Sequence, residues 1–157
     1  MKSQAVVTTF LFVFLAMSEQ QCPRSWTRFE EACYILPDQN VTWFEARELC
    51  MAIAGNLVEV KSADENNFLS SFIKSHAVRG AWIGLEDFVE EGRFVFASNQ
   101  EVPSYTNWGH GQPDDLNRNQ DCVWIPNQPT RWTVGFWDDM ECSIKTPTIC
   151  KDSLRAP

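Results

Sequence analysis

Apolar positions along the chain follow two different rhythms. Between Trp43 and Ile53 they recur at helical spacing, with Trp43, Ala46, Leu49, Cys50 and Ile53 on one face. Thr42 and Glu45 stand at the start in a Thr-x-x-Glu capping box, which satisfies two backbone N–H groups, and Gly55 follows as a stop. These residues predict a helix over 42–54. A second helix is predicted over 62–76, where Ser62 and Glu65 repeat the box. Asp64 and Glu65 in its first turn and Lys74 in its last complement the helix dipole. Its stripe of Phe68, Leu69, Phe72 and Ile73 is assigned to the core. His76 has no nucleophile near it in sequence and is assigned a structural role.

The rest of the chain has the shorter rhythm of strands. Cys22 to Leu36 predicts a strand pair on Trp26, Phe29, Cys33, Tyr34 and Ile35. Asn56 to Val60 predicts a short strand and Ala81 to Leu85 a buried one. Glu86 to Gly92 is an acidic turn, Arg93 to Phe96 a strand, and Ser98 to Trp108 a loop. The last strands are predicted over Asp121–Ile125, Arg131–Trp137 and Thr146–Lys151, with a short tail after Cys150. Strand, helix, strand, helix and then many short strands give an α+β class, with helices packed outside a mostly antiparallel sheet. One domain is expected over 19–157, with its core over 22–150. Residues 1–18 have the form of a secretory signal. Lys2 is the basic start, Ala5 to Met17 is apolar apart from two threonines, and Ala16-Met17-Ser18 offers a cleavage site. That apolar run is shorter than the roughly 20 residues needed to span a bilayer, so no membrane insertion is expected.

Composition narrows the function classes. The 157 residues are 44% hydrophobic and 13% aromatic, enough for a packed core and too apolar for disorder. The net charge of -8 argues against nucleic acid, which needs a basic surface, and disfavours anionic membranes. The six cysteines are an even set in a chain with an export signal, which implies a disulfide framework whose connectivity spacing alone does not fix. No Cys-x-x-Cys pair occurs, and His76 and His110 stand at no zinc-finger spacing. Asn40-Val41-Thr42 is an N-glycosylation sequon on a predicted surface turn.

The chemistry concentrates in two segments. One runs from Gly111-Gln112-Pro113-Asp114-Asp115 to Gln120-Asp121-Cys122, and the other is Phe136-Trp137-Asp138-Asp139-Met140-Glu141-Cys142. They supply the hard oxygens of Gln112, Asp114, Asp115, Gln120, Asp121, Asp138 and Asp139, with Arg118 as the basic exception. Such oxygens suit Ca²⁺, which takes about six to eight of them. The alternative is a solvated acidic loop. Trp124, Trp132 and Trp137 lie between or beside the clusters, and disordered acidic loops are poor in tryptophan.

Trp82-Ile83-Gly84-Leu85, Gln112-Pro113-Asp114, Asp121-Cys122-Val123-Trp124-Ile125 and Trp137-Asp138-Asp139, with the six cysteines so placed, resemble the C-type lectin domain from Cys22 to Cys150. The resemblance implies a double-loop α+β fold and the pairs Cys22–Cys33, Cys50–Cys150 and Cys122–Cys142. It implies a sugar-binding calcium held by Gln112, Asp114, Gln120, Asp138 and Asp139, with a cis peptide before Pro113. It implies an auxiliary calcium at Asp87, Glu91, Asp115 and Asp121. Gln120 stands where the family usually has Glu, and Asp138 where it usually has Asn. One exchange removes a charge and the other restores it, so three carboxylates remain and calcium binding is expected to survive.

Two neighbouring sugar hydroxyls would then meet the acceptor–donor pairs Asp114 with Gln112 and Asp138 with Gln120. In the family Gln-Pro-Asp goes with galactose and Glu-Pro-Asn with mannose. Both pairs are reversed here relative to the mannose version, which leaves mannose or glucose open. Galactose-type members add an aromatic platform after this segment. Leu116 occupies that place, and Trp132 or Trp124 are the substitutes. The expected partners are glycans outside the cell. A protein-binding or mineral-associated module on the same fold is the competing class. No His-Glu-x-x-His, Gly-x-Ser-x-Gly or catalytic-cysteine arrangement points to an enzyme. No spare cysteine or coiled coil joins protomers, and a non-covalent homodimer stays open. Defence, agglutination, feeding and shell formation all suit a secreted lectin.

Overall fold

The structure is a computed structural model that describes residues 21–127 and 135–153. Its elements are β1 Thr27–Phe29, β2 Ala32–Ile35, α1 Trp43–Ala52, β3 Asn56–Leu57, α2 Ala63–Ser75, β4 Gly80–Glu86, β5 Val95–Phe96, a 3₁₀ turn at Leu116–Arg118, β6 Cys122–Pro126, β7 Asp138–Met140 and β8 Cys150–Ser153. They form two four-stranded sheets, ordered β1-β2-β8-β3 and β5-β4-β6-β7. All the strand pairs are antiparallel. The two sheets meet where Gly84 N–H donates to Val58 O and Val58 N–H donates to Ile149 O. A Cβ at Gly84 would stand 2.9 Å from Leu57 O, so only glycine admits this approach. Between the sheets and α2 lies the core of Val58, Leu69, Ile73, Ile83, Leu85, Val123, Ile125, Trp137 and Ile149.

The helices form for the reasons their sequences give. Thr42 and Glu45 make both halves of the capping box, which typically contributes about 1 kcal/mol. Trp43, Ala46 and Cys50 are buried beneath α1, and the Trp43 indole donates to Ile83 O at 2.8 Å. Ile53 departs from the predicted face: it is the C-cap residue and is 37% exposed. In α2, Ser62 accepts from Glu65 N–H, but the reciprocal half of the expected box is missing. Glu65 is instead a buried hub: its Oε1 accepts from Tyr34 O–H at 2.8 Å and Lys151 Nζ at 2.6 Å, and its Oε2 from Lys61 N–H at 2.9 Å. A buried carboxylate needs such partners, and three segments converge on this one. Burial and the neighbouring Glu65 push the Tyr34 hydroxyl pKa upward.

Several strand boundaries differ from expectation. Of the strand predicted over 131–137, residues 131–134 lie outside the described residues and 135–137 precede the strand observed at Asp138–Met140. The strand predicted over 146–151 begins only at Cys150, with Thr146 and Thr148 making isolated bridges. Of the residues expected to form a tail, 151–153 belong to β8, which pairs with β2 on one side and β3 on the other, and 154–157 lie outside the described residues. Glu86 and Asp87 are buried at 3% and 2% exposure rather than solvated in an acidic turn. Glu86 accepts from Phe88 N–H and Gln100 Nε2. His76 Nδ1 lies 2.8 Å from Phe72 O and its ring packs edge-on to Phe72, a structural role.

The disulfides are Cys22–Cys33, Cys50–Cys150 and Cys122–Cys142, as the resemblance implied. Cys50–Cys150 ties α1 to β8 across 100 residues, and closing a loop of that length restricts the unfolded chain most. No helix among the described residues is long and apolar enough to cross a membrane. The segment 1–18, assigned to a secretory signal, lies outside the described residues.

Replacing Glu65 by Ala strands the Tyr34 hydroxyl and the Lys151 ammonium, and should lower stability by about 3 kcal/mol. Urea unfolding measures it, and Glu65→Gln, which keeps an acceptor, should lose less.

Candidate metal centre

The site is built on the β6–β7 ladder. Trp124 pairs with Asp138, Val123 with Asp139 and Cys122 with Met140. Strand alternation sets Val123 and Asp139 in buried positions, while Asp138 and Met140 are half-buried. Cys122–Cys142 crosslinks the ladder at its end. The preceding Trp137 is 1% exposed and holds the neighbouring loop by its backbone: its N–H donates to Asn107 O at 2.7 Å, and its carbonyl accepts from Gly109 N–H at 2.8 Å. Its indole N–H donates to Asn66 Oδ1 at 2.8 Å. Asn66 and Asn107 both donate to Gly135 O. Gly135 has φ +92°, and a Cβ there would stand 2.3 Å from Ser70 Oγ.

Across the gap, the two acidic segments are stitched by side chain to backbone. The Asp139 carboxylate accepts from Asp114 N–H at 3.1 Å and from Asp115 N–H at 2.7 Å. Gln120 spans the same loop. Its Nε2 donates to Asp139 O at 3.0 Å, its Oε1 accepts from Leu116 N–H, and its N–H donates to Asp115 Oδ1 at 3.2 Å. Asp115, Asn117 and Arg118 take left-handed backbone angles of 41°, 64° and 56° in this turn, where Asn and Asp are favoured among non-glycines. The Gln112–Pro113 peptide is cis, as expected. Asp138 Oδ2 accepts from the Trp124 indole at 3.3 Å.

Burial pushes the Asp138 pKa up; the Trp124 bond opposes this, and the charges of Asp139 and Asp114 add to it. Burial also raises Asp139, against the lowering effect of the Asp115 and Asp114 amides. Asp87 is pushed up to about 6, first by burial and then by the charges of Glu91 and Asp121, with the Gly92 amide opposing. Of the four expected auxiliary ligands, Asp87 thus feels the charges of Glu91 and Asp121. Asp115 is the fourth, and its Oδ1 is turned to Gln120.

A family model for the Lectin C-type domain matches residues 39–152. The chain belongs to the C-type lectin domain family. It is 33% identical over 121 residues to the low affinity immunoglobulin epsilon Fc receptor of Mus musculus, covering 77% of this chain and 34% of the receptor. It is 29% identical over 147 residues to a perlucin-like protein of Mytilus galloprovincialis, covering 88% of this chain and 90% of that one. The chain thus spans about a third of the receptor's length and most of the mussel protein's. Among solved structures, the cow C-type carbohydrate-recognition domain of CD23, in the presence of a GlcNAc2Man3 oligosaccharide, superposes with TM-score 0.75 at 31% identity, over 87% of this chain and 98% of that chain. C-type lectin domains are carbohydrate-binding modules, not enzymes, and they typically bind calcium.

The two expected ligand sets of this lectin domain offer hard oxygens of the kind a calcium ion takes. Gln112 Oε1 and Asp87 Oδ1 are buried oxygens without a hydrogen-bond donor, one in each expected ligand set. Buried acceptors are ordinarily satisfied, and a cation satisfies them as a donor would. The carboxylates stop short of a closed cage: among the described residues no three Asp, Glu, His or Cys side chains form a metal-holding group by themselves. Mutual repulsion and the amide bonds of Asp139 account for the spread. Trp132, named as a platform, lies outside the described residues. Trp124 is half-buried and committed to Asp138, and Leu116 is 60% exposed. Asn40 is exposed just ahead of α1. Sequence reasoning missed Asn66 and Asn107, which brace the site from behind. The signal for Asn66 was a polar residue at the spacing of the α2 apolar stripe.

Asp139→Ala should release the amides of Asp114 and Asp115. Their hydrogen exchange should quicken roughly tenfold with chelator present, as loss of one charge-assisted bond each implies. Unchanged protection would show that the loop is held by other means.

Proposed function

We propose that this C-type lectin domain binds carbohydrate through calcium. The observation that carries the proposal is the buried, unpartnered Gln112 Oε1 on a loop whose Asp114 and Asp115 amides are stitched to the Asp139 carboxylate. Gln112, Asp114, Asp138 and Asp139 would hold the sugar-site ion. Gln120 would join them on releasing Leu116 N–H, which its Oε1 now accepts. Asp87, Glu91 and Asp121, with Asp115 on turning from Gln120, would hold the auxiliary ion. A bound calcium supplies positive charge and open coordination positions for two neighbouring hydroxyls. The chain's own groups orient the sugar: Asp114 and Asp138 accept from its hydroxyls, and the amides of Gln112 and Gln120 donate. The Trp124 indole steadies Asp138 for that task.

Galactose is the preferred sugar on the Gln-Pro-Asp order. Mannose-type recognition rests on the double reversal and gains support from the oligosaccharide present with the cow CD23 domain. The setting is extracellular, with three disulfides suited to an oxidising compartment and Asn40 exposed for glycosylation. A second reading, a protein-binding or mineral-associated module, draws on the hydrogen bonds that pin the loops without an ion. Loss of partner binding on adding free sugar separates the first reading from the second.

Calcium at a hundredfold its Kd should stabilise the protein by about 2.7 kcal/mol, seen as a rise in Tm that chelator reverses. Calorimetry with galactose and mannose should show binding that requires calcium and is abolished by Asp114→Ala and by Asp138→Ala. Binding that persists in chelator would contradict the proposal, and strict galactose preference would remove the mannose alternative.

A further inference from the structure

The outward face of α1 is unusually apolar for a surface helix. Phe44 is 54% and Met51 60% exposed, and they stand seven residues apart, two turns along one side of the helix. Between them lie Arg47 and Glu48, both exposed. At 100° per residue these four side chains fall within roughly 100° of arc, so they make one stripe. Phe88 extends the stripe sideways. It is 42% exposed and stacks on Phe44 with ring centres 5.3 Å apart, and both rings rest edge-on against the buried Trp43. The rings are therefore fixed by packing from below while their outer faces meet water. Among the described residues, neither Arg47 nor Glu48 has an ion-pair partner within the chain.

The order of these residues is self-complementary. A two-fold axis crossing α1 between Arg47 and Glu48 sets Phe44 opposite the Met51 of a second copy. The same axis sets Arg47 opposite that copy's Glu48, and each contact occurs twice. Isologous interfaces need this property, in which one patch serves as its own partner. The charge pair also matters in a chain of net charge -8, because two copies repel each other overall and the contact must be locally neutral. A groove beside Arg47 and Met51, bordered by Leu57, Ala97 and Ser98, gives the partner's Phe44 somewhere to seat.

We infer that the outward face of α1, with Phe88, is a homodimer interface formed by antiparallel packing of α1 on its two-fold mate. It involves none of the proposed calcium or sugar ligands. Two lectin domains joined this way present two sugar sites, and linked sites raise avidity without any new sugar contact. The interface is small, so the association is a concentration-dependent equilibrium in the micromolar range.

Sedimentation velocity on the purified protein from about 1 to 200 μM, in calcium and in chelator, tests it. The measurement is repeated with Asn40→Gln so that no glycan sits at the start of α1. The expected result is a monomer–dimer equilibrium under both conditions, unaffected by galactose or mannose. Phe44→Glu should leave monomer throughout. Glu48→Arg should weaken association roughly tenfold, since the lost pair counts twice. The exchange Arg47→Glu with Glu48→Arg should restore it to about the starting value, which no general loss of folding or packing would do. Monomer at every concentration, dissociation by free sugar, or a double exchange as weak as Glu48→Arg alone would each overturn the inference. Circular dichroism confirms that the variants fold.

Discussion

Holding like charges together before a ligand arrives is the constraint on which this structure depends. Asp114, Asp138 and Asp139 repel one another, and burial makes ionisation of the last two harder still. A loop would relax by splaying them into solvent. Here that relaxation is opposed by local bonds. Asp139 is fixed by strand pairing to Val123, and its carboxylate takes the amides of Asp114 and Asp115. The amides do what a cation would do in part: they offer positive hydrogen to a carboxylate that has little water. The arrangement still leaves the buried oxygen of Gln112 without a donor.

The rest of the fold keeps that arrangement from moving. Trp137 is the hinge pin between site and core. Its backbone grips the loop at Asn107 and Gly109, and its indole is tied to Asn66 of α2. Asn66 in turn holds Gly135, so α2 braces the site from behind. At the other end of α2, Glu65 gathers Tyr34, Lys61 and Lys151, which locks β2 and β8 to the helix. A single helix thus carries the position of the chain's closing strands to the ligand loops through two buried polar residues. Networks of this kind are worth having only when every member is satisfied, as these are.

Local signals in the sequence were the most legible. Thr42 with Glu45 marked the first helix because both halves of a capping box lie within one turn. Ser62 with Glu65 looked identical, yet Glu65 was drawn to Tyr34 and Lys151, partners that are far away in sequence. The same cause hid the burial of Glu86 and Asp87. An acidic run resembles a solvated turn until distant Gln100 and the backbone of Phe88 and Gly92 supply its donors. The predicted strand stopped at Trp137, whereas pairing with β6 takes in Asp138–Met140, the ligand segment itself. The oxygen-rich segments were readable as chemistry, but not the division of labour within them. Nothing in Gln120's neighbours showed that both ends of its amide would serve the backbone.

The central claim is that these loops are a frame for a cation, and diffraction from crystals grown in millimolar calcium tests it most directly. The account predicts a strong peak coordinated by the Gln112, Asp114, Asp138 and Asp139 side chains, with Asp139 still bonded to at least one loop amide. A map in which those side chains turn to solvent around ordinary water would contradict it.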